Sequence, residues 1–248
     1  MRRLSIWPVT GLPEVRAGDD LASMIVSALA TDPLRDRDVV VVAQKVVSKS
    51  EGRVVALSTV VPSERAIRMA EEAGKDPRAL EVVLRQTRTI LRWERGVLIA
   101  ETHHGFVCAN AGVDRSNAGA PDSVVLLPVD PDASAARLRD ALRERTGRDV
   151  AVLVTDTFGR AWREGHVNVA IGMAGLPALL RYVGQHDPEG YELRVTEIAL
   201  ADEIAGAAEI VMGKLDRHPV AIVRGVETAS SDETAQAYVR PKERDLFR

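Results

Sequence analysis

Short runs of β-branched residues alternate along this chain with stretches of helical periodicity, a pattern typical of a mixed α/β protein. Val39–Ala43 and Ala151–Thr155 are continuous apolar runs that predict buried strands, and Pro219–Val223 predicts another. Two shorter apolar segments, Val97–Ala100 and Phe106–Cys108, predict an antiparallel pair joined by a polar turn. We therefore expect an α/β fold that contains mixed sheets.

Capping residues and apolar spacing predict three helices. Residues 62–74 form the first, with Ser63 as the N-cap and a glycine as the stop. Residues 130–147 form the second, which an Asp-Pro pair opens and a glycine closes. The alanine-rich segment Thr196–Met212 forms the third. The N-terminal residues 1–10 read as the start of a strand.

Composition excludes several classes of function. The chain has 248 residues, of which 46% are hydrophobic, so it can bury a sizeable core. Its 33 basic and 36 acidic residues give a formal net charge of −3, which argues against a nucleic-acid-binding surface but allows a local basic site for a small anion. The single cysteine, Cys108, excludes an intrachain disulfide and fits a reducing cytoplasm. No signal peptide is recognisable, and no apolar stretch approaches the roughly 20 residues of a membrane span.

The common phosphate-binding and catalytic motifs are missing from this sequence. Neither GxxxxGK[ST] nor a GxGxxG that follows a strand occurs, and HExxH and GxSxG are absent as well. Any nucleotide site must therefore be assembled from separate segments.

Two segments have residue types that suit phosphate binding. Gly11–Val15 contains a Gly and a Pro that predict a tight turn, although on turn chemistry alone an ordinary strand-to-helix loop explains it better. Gln44–Lys49 follows the first apolar strand, where ligands tend to bind in α/β sheets. Its two lysines and Ser48 suit phosphate oxygens. The alternative is that these side chains lie on an ordinary solvated surface and bind no ligand.

Two further segments have residue types that suit a metal ion. Asn110–Asn117 offers the oxygen atoms of Asp114 and of its neighbours, which hard cations such as Mg²⁺ prefer, but an Asx-type turn fits equally well. In Thr155–Arg163, Asp156 directly follows an apolar strand, and a metal ion would offset the cost of burying its carboxylate. Two arginines follow within two turns and suit phosphate or carboxylate groups. The alternative to a metal and phosphate site is that this segment is the capped start of a helix with arginines on its surface.

Six segments, taken together and in this order, resemble the coenzyme F420-0:γ-glutamyl ligase family. The resemblance extends from about Ile6 to the C-terminus, and three of the motifs, VVSKSEGR, AGVDRSN and TDTFGRAWR, are highly specific in combination. The resembling stretches are GLPEVRAGDDL at Gly11, VVVVAQKVVSKSEGR at Val39, NAGVDRSNAG at Asn110, VLVTDTFGRAWREG at Val152, VTEIALADEIAGAAEIVMGK at Val195 and PVAIVRG at Pro219.

The resemblance implies a homodimer with a ligase-like α/β fold, in which residues 1–248 form a single domain. Some relatives carry an additional nitroreductase-like domain that this sequence does not contain, so we expect no bound flavin. The implied reaction transfers the γ-phosphoryl group of GTP to a carboxylate of F420-0, and L-glutamate then attacks the acyl phosphate. Later rounds add further glutamates through γ-linkages. The implied metals are Mg²⁺ or Mn²⁺, two per site, with K⁺ as a stimulating ion.

The resemblance also implies roles for individual residues. Asp156, together with Arg160 and Arg163, is implied in catalysis, with the arginines on phosphate or on the F420-0 phosphodiester. Lys214 stands where some relatives have an acid, so Asp216 or a water would complete a second metal site. The implied metal ligands are Asp114, Asp156 and Thr157, and the implied nucleotide contacts are Leu12, Pro13, Glu14, Val15, Gln44, Lys45, Lys49, Asn117, Met212, Gly213 and Lys214.

Two other functions remain open on the residues alone. One is a metal-dependent phosphotransferase or phosphohydrolase that acts on another small anion. The other is a non-catalytic nucleotide-binding module, for which Asp114 and Asp156 would be dispensable. The combination of motifs favours the ligase, and we expect no nucleic-acid or membrane partner.

Overall fold

A computed structural model describes residues 3–116, 118–227 and 229–246. Its helices are α1 (Leu21–Ala28), α2 (Gln44–Ser50), α3 (Glu64–Ala73), α4 (Pro77–Gln86), α5 (Pro131–Thr146) and α6 (Leu200–Met212). Its strands are β1 (Ser5–Pro8), β2 (Val39–Ala43), β3 (Val54–Ala56), β4 (Thr87–Glu94), β5 (Val97–Thr102), β6 (Val107–Ala109), β7 (Ser123–Val125), β8 (Ala151–Arg160), β9 (Arg163–Ala174), β10 (Leu179–Arg181), β11 (Glu197–Ala199) and β12 (Val220–Arg224).

Within the described residues the strands form one five-stranded sheet, in the order β1-β12-β2-β8-β9, and three smaller sheets. In the large sheet β2 and β8 run parallel, whereas its other neighbouring strands pair antiparallel. The smaller sheets have the orders β4-β5-β6, β3-β7 and β10-β11. The predicted mixed α/β architecture is confirmed. No helix in the described ranges is both long and apolar enough to cross a bilayer.

The large sheet is covered on both faces, which explains the unbroken apolar run in β2. Val40 and Val42 join a core cluster that contains residues of α1 and α5. Val39 and Val41 point to the opposite face and pack in a second cluster with α6. A strand buried on both sides has no position for a polar side chain, so alternation disappears from its sequence.

Two of the predicted helices begin and end at their predicted caps. The hydroxyl of Ser63 accepts a hydrogen bond from the backbone of Ala66 at the start of α3, and left-handed Gly74 ends the helix. Asp130 caps α5, and left-handed Gly147 follows its last turn. These caps satisfy backbone groups that the helix itself leaves unpaired. The predicted antiparallel pair is also present, as β5 and β6.

The third predicted helix starts too early, because residues 197–199 form β11 instead. Ala199 pairs with Leu179 of β10, so tertiary pairing takes the backbone hydrogen bonds that a helix would need. The buried apolar face starts only at Ala201. Helical periodicity therefore begins at Leu200, four residues after the predicted start.

The predicted end of a strand at Thr155 is also wrong, because β8 continues to Arg160. The strand pairs with β9 from Val152–Ala174 to Arg160–Arg163, and Trp162 makes the turn with a φ of 58°. Asp156 and the arginines therefore lie on a β-hairpin and are not within two helical turns of one another. The apolar run ended at Thr155 because the burial ends there, while the backbone pairing goes on.

At Gly172, β9 passes close to the backbone at the start of α5. A Cβ atom at this position would lie 2.2 Å from the carbonyl oxygen of Pro131. We predict that Gly172→Ala lowers the free energy of unfolding by about 1–3 kcal/mol or more, because strand and helix must move apart. Chemical denaturation followed by circular dichroism measures this.

Gly206 provides the matched control, because a Cβ atom in this part of α6 would meet no atom within 4 Å. Gly206→Ala should therefore stabilise the protein by about 0.5–1 kcal/mol, through the higher helix propensity of alanine. Equal effects of the two substitutions would contradict the close approach.

A buried ion pair joins the start of β2 to the end of β12. Asp38 is 0% exposed, and Arg224 donates to its two oxygens from Nε at 2.7 Å and from Nη2 at 2.8 Å. We predict that Arg224→Met lowers the free energy of unfolding by about 3–5 kcal/mol, because it leaves an uncompensated buried carboxylate. Urea denaturation at neutral pH measures the change.

The double variant Asp38→Asn/Arg224→Met separates charge from packing, since Arg224 also lies over the ring of Trp7 at 4.8 Å. Because the double variant no longer buries a charge, it should recover part of the free energy of unfolding that Arg224→Met loses. A double variant no more stable than Arg224→Met would assign the effect to the lost contact with Trp7.

Candidate active site

A cleft of about 560 Å³ opens beside the carboxyl end of β2. Ala43 ends β2 opposite Thr155, whereas β8 continues past it. The end of one strand beside a longer neighbour leaves a crevice, which is where ligands bind in α/β sheets. Residues from four separate segments line the cleft, namely Leu12–Val15, Ala43–Val46 with Lys49, Thr155–Thr157 with Asn168, and Glu209 with Met212–Leu215 and Arg217–Pro219; Gly119 completes the lining.

Gln44 brings a buried amide to the wall of the cleft. Its side chain is 1% exposed, and its Oε1 accepts a hydrogen bond from Ser48 at 2.8 Å. Its Nε2 has no hydrogen-bond acceptor among the described residues. A buried donor without a partner costs free energy. This orphaned N–H group at the cleft is therefore suited to donate to an acceptor on a ligand.

Two lysines of α2 bring positive charge to the cleft, and each is held by an acid from a distant segment. Lys49 Nζ lies 2.6 Å from Glu14 Oε1. Lys45 Nζ lies 2.6 Å from Asp114 Oδ2 and donates to the hydroxyl of Ser116 at 2.7 Å. The lysine stems are largely buried, so these ammonium groups are fixed in direction and can face a bound anion.

Asp156 is a buried carboxyl group in β8. Its pKa is raised to about 6, mainly by burial and to a smaller extent by the nearby charge of Asp114, while the backbone hydrogen bond from Thr157 and the charges of Lys45 and Lys214 act in the opposite direction. Burial alone would also raise the pKa of Asp114. Hydrogen bonds from Lys45 and from the backbone of Ser116 outweigh that effect and hold this pKa below its ordinary value.

Asp114, Asp156 and Thr157 offer oxygen atoms, the donor type that a divalent cation such as Mg²⁺ prefers. Mg²⁺ is bound in proteins by one or two carboxylates together with substrate phosphates and waters. Within the described ranges, no group of three or more His, Cys, Asp or Glu residues could hold a metal. A divalent cation at these acids would therefore need further ligands from a bound substrate or from water.

The cleft brings together most of the residues that the sequence analysis singled out. Asp114 reaches the site through its ion pair with Lys45. Asn117 lies outside the described residues. Arg160 and Arg163 are exposed on the β8–β9 hairpin and are not part of the cleft lining. The predicted residues that do line it are Leu12, Pro13, Glu14, Val15, Gln44, Lys45, Lys49, Asp156, Thr157, Met212, Gly213 and Lys214.

Sequence reasoning missed several polar residues of the cleft. Asn168 is buried and donates from Nδ2 to the hydroxyl of Thr155 at 2.9 Å. Its role depends on the register of the hairpin, which places it opposite Thr157 and which no local motif reveals. Glu209 and Arg217 line the cleft as well.

Asp216, the expected substitute ligand for a second metal, is not part of the cleft lining. Its carboxylate folds onto the backbone of Gly213, so close that a Cβ atom there would lie 2.2 Å from Oδ2. Lys214 faces the cleft in its place.

Comparisons with known proteins agree with the six motif segments. The sequence profile of the family described as F420-0:Gamma-glutamyl ligase matches residues 11–225. A Coenzyme F420:L-glutamate ligase from Methanopyrus kandleri is 46% identical over 250 residues, covering 99% of this chain and 98% of that protein. Its namesake from Methanothermobacter thermautotrophicus is 43% identical over 251 residues, covering 99% of both chains. A third, from Methanocaldococcus jannaschii, is 39% identical over 238 residues, covering 96% and 94%. This chain therefore belongs to the F420-0:γ-glutamyl ligase family.

Proposed function

We propose that this chain is a GTP-dependent ligase that joins L-glutamate to coenzyme F420-0 in F420 biosynthesis, and that it adds further glutamates through γ-linkages. The observation that carries the proposal is the cleft beside β2. There Lys45 and Lys49 supply positive charge, and Asp156 supplies a buried carboxylate next to Asp114. Membership of the ligase family and the names of the relatives support the choice of substrates.

The chemistry requires an activated carboxylate, because the oxygen of a free carboxylate is a poor leaving group. An oxygen of the F420-0 carboxylate attacks the γ-phosphorus of GTP, the bond to the β-phosphate oxygen breaks, and GDP leaves. The amine of glutamate then attacks the acyl carbon, inorganic phosphate leaves, and the nitrogen loses a proton. The protein must therefore hold the nucleotide in line and offset its negative charge.

Each part of the cleft suits one of these tasks. Lys45 and Lys49 would face the phosphate oxygens, and the free N–H of Gln44 would donate a hydrogen bond to one of them. Asp114, Asp156 and Thr157 would hold Mg²⁺ or Mn²⁺, which supplies further positive charge at the phosphates. Leu12–Val15 and Met212–Lys214 would contact the rest of the nucleotide. The second divalent ion and the K⁺ remain predictions.

We extend the proposal to a homodimer, as the family resemblance implies. Large apolar side chains are exposed on the segment around β10 and β11, among them Val183, Tyr191 and Val195. Exposed apolar side chains grouped in one segment are a feature of many contact surfaces. This face is therefore suited to contact a second copy of the chain.

Asp156→Asn tests the proposed reaction. The protein is incubated with F420-0, L-glutamate, GTP and Mg²⁺ or Mn²⁺, and the products are measured by mass spectrometry. The wild-type protein should add one or more glutamyl units only when GTP is present. The variant should be slower by about 10²–10³-fold, because it loses the negative charge that would hold the cation.

Asp140→Asn makes the same chemical change on an exposed position of α5 and should leave the rate unaltered. An Asp156→Asn variant that reacts at the wild-type rate would contradict the role of this acid. Hydrolysis of GTP without any change in the mass of F420-0 would instead favour the phosphohydrolase.

Lys49→Met tests the phosphate contact. The substitution keeps a buried stem of similar length but removes the ammonium group, and the partner it leaves behind, Glu14, is mostly exposed. We expect GTP to bind about 10- to 100-fold more weakly by calorimetry, which corresponds to one lost charge-assisted hydrogen bond. Lys75→Met, on the surface, is the control, and equal GTP affinity of the two variants would disprove the contact.

A further inference from the structure

The cleft has two walls that come from opposite faces of the large sheet. Val46 and Val47 of α2 pack in the core cluster on one face, together with residues of α1 and α5. Ala208 and Met212 of α6 pack in the cluster on the other face. The lysines of α2 and the polar residues of α6 therefore reach the cleft from opposite sides, and a group bound between them meets both.

Hydrogen bonds to β9 hold α6 in place beside the cleft. The backbone N–H of Ala170 donates to Asp202 Oδ1 at 2.9 Å. Asn168, which lines the cleft, reaches the carbonyl oxygen of Ala205 from Nδ2 at 3.5 Å. Glu209 follows Ala205 by one helical turn, so the two residues share a face of α6. Because helical side chains lean towards the N-terminus of their own helix, the Glu209 side chain leans back towards Asn168.

Glu209 is an acid of the cleft that has no partner yet. Of the described residues that line the cleft, three are acids, namely Glu14, Asp156 and Glu209. Glu14 forms the ion pair with Lys49, and Asp156 is assigned to the cation in the proposed reaction. Glu209 makes neither an ion pair nor a side-chain hydrogen bond with any described residue. Its carboxylate is therefore available to a cationic group on a ligand.

Lys214 relates Glu209 to the reacting centre. Burial raises the pKa of Glu209 and that of Asp156, and the charge of Lys214 acts against burial at both carboxyl groups. An opposite charge has this effect only over a short range. Lys214 also lines the cleft. The two carboxyl groups therefore lie near the same ammonium group, and a ligand held by Glu209 would be close to the centre at Asp156.

The proposed reaction needs an anionic group for one of its substrates. GTP and F420-0 are anions, whereas L-glutamate brings an ammonium group, which a carboxylate binds through a charge-assisted hydrogen bond. The nitrogen must also be held close to the acyl carbon before it attacks. Lys45 and Lys49 would repel an ammonium group on their own side of the cleft. A carboxylate on the opposite wall satisfies both requirements.

We propose that Glu209 binds the ammonium group of L-glutamate and positions it for attack on the acyl phosphate. The inference rests on the proposed function and adds the amine site to it. Position in the cleft distinguishes Glu209 from the other glutamate of α6, since Glu203 is exposed and is not part of the lining.

The test compares two nucleophiles on Glu209→Gln. L-Glutamate carries a charged ammonium group, whereas hydroxylamine is largely uncharged at neutral pH and traps the acyl phosphate as a hydroxamate, with release of inorganic phosphate. The KM for L-glutamate should rise about 10- to 100-fold, which corresponds to one lost charge-assisted hydrogen bond. The rate of hydroxamate formation from F420-0, GTP and hydroxylamine, followed by mass spectrometry, should equal that of the wild type. The affinity for GTP, measured by calorimetry, should be unchanged as well.

Two further variants control for the position and the charge. Glu203→Gln makes the same chemical change on the exposed side of α6 and should leave the KM for L-glutamate unaltered. Glu209→Asp keeps the negative charge on a shorter stem and should recover part of the affinity for L-glutamate that Glu209→Gln loses.

Two results with Glu209→Gln would overturn the inference and leave the proposed function standing. An unchanged KM for L-glutamate would show that this acid does not bind the amine. A loss of hydroxamate formation or of GTP affinity as large as the effect on glutamate would place Glu209 in the nucleotide site instead. A wild-type protein that forms neither a glutamylated product nor a hydroxamate would refute the proposed function, and the inference would fail with it.

Discussion

The parallel pairing of β2 with β8 determines where the cleft opens. The two strands run together only as far as Ala43 and Thr155, so the cleft can open just where β2 ends and α2 begins. The same pairing places Asp156 one residue beyond that end, facing the first turn of α2. Because both strands are covered on their two faces, the relative position of Asp156 and Lys45 is set by the core and not by a flexible loop.

Within this frame the charges of the cleft depend on one another. The contact with Lys45 holds the pKa of Asp114 below its ordinary value, whereas burial is the main cause that raises the pKa of Asp156 to about 6. A buried carboxylate of this kind stabilises the protein poorly by itself, since burial disfavours its charge. A bound cation and phosphate would offset the free-energy cost of burying this charged carboxylate. The unfavourable electrostatics of the protein by itself therefore argue for a ligand in the cleft.

Local sequence signals predicted the elements whose ends are determined by their own residues. Ser63, Asp130 and the two closing glycines specify helix ends through hydrogen bonds within the same segment, and these predictions were confirmed. The end of β8 could not be predicted in this way, since the residues after Thr155 are held by pairing with β9. The motif comparison selected cleft residues such as Leu12–Val15 and Gln44–Lys49, but it could not give their contacts. The pairing of Glu14 with Lys49 joins residues 35 positions apart, and only the folded chain reveals it.

The absence of a glycine-rich phosphate loop has a structural consequence. A single loop would supply all phosphate contacts from adjacent backbone groups, whereas this cleft draws side chains from four segments that meet only in the folded state. Each of these segments is attached to a different part of the large sheet, and β8 reaches both the cleft and the hairpin end. A continuous strand changes little in length, because its rise per residue is nearly fixed. β8 therefore holds the buried Asp156 and the exposed end of the hairpin at a nearly fixed separation.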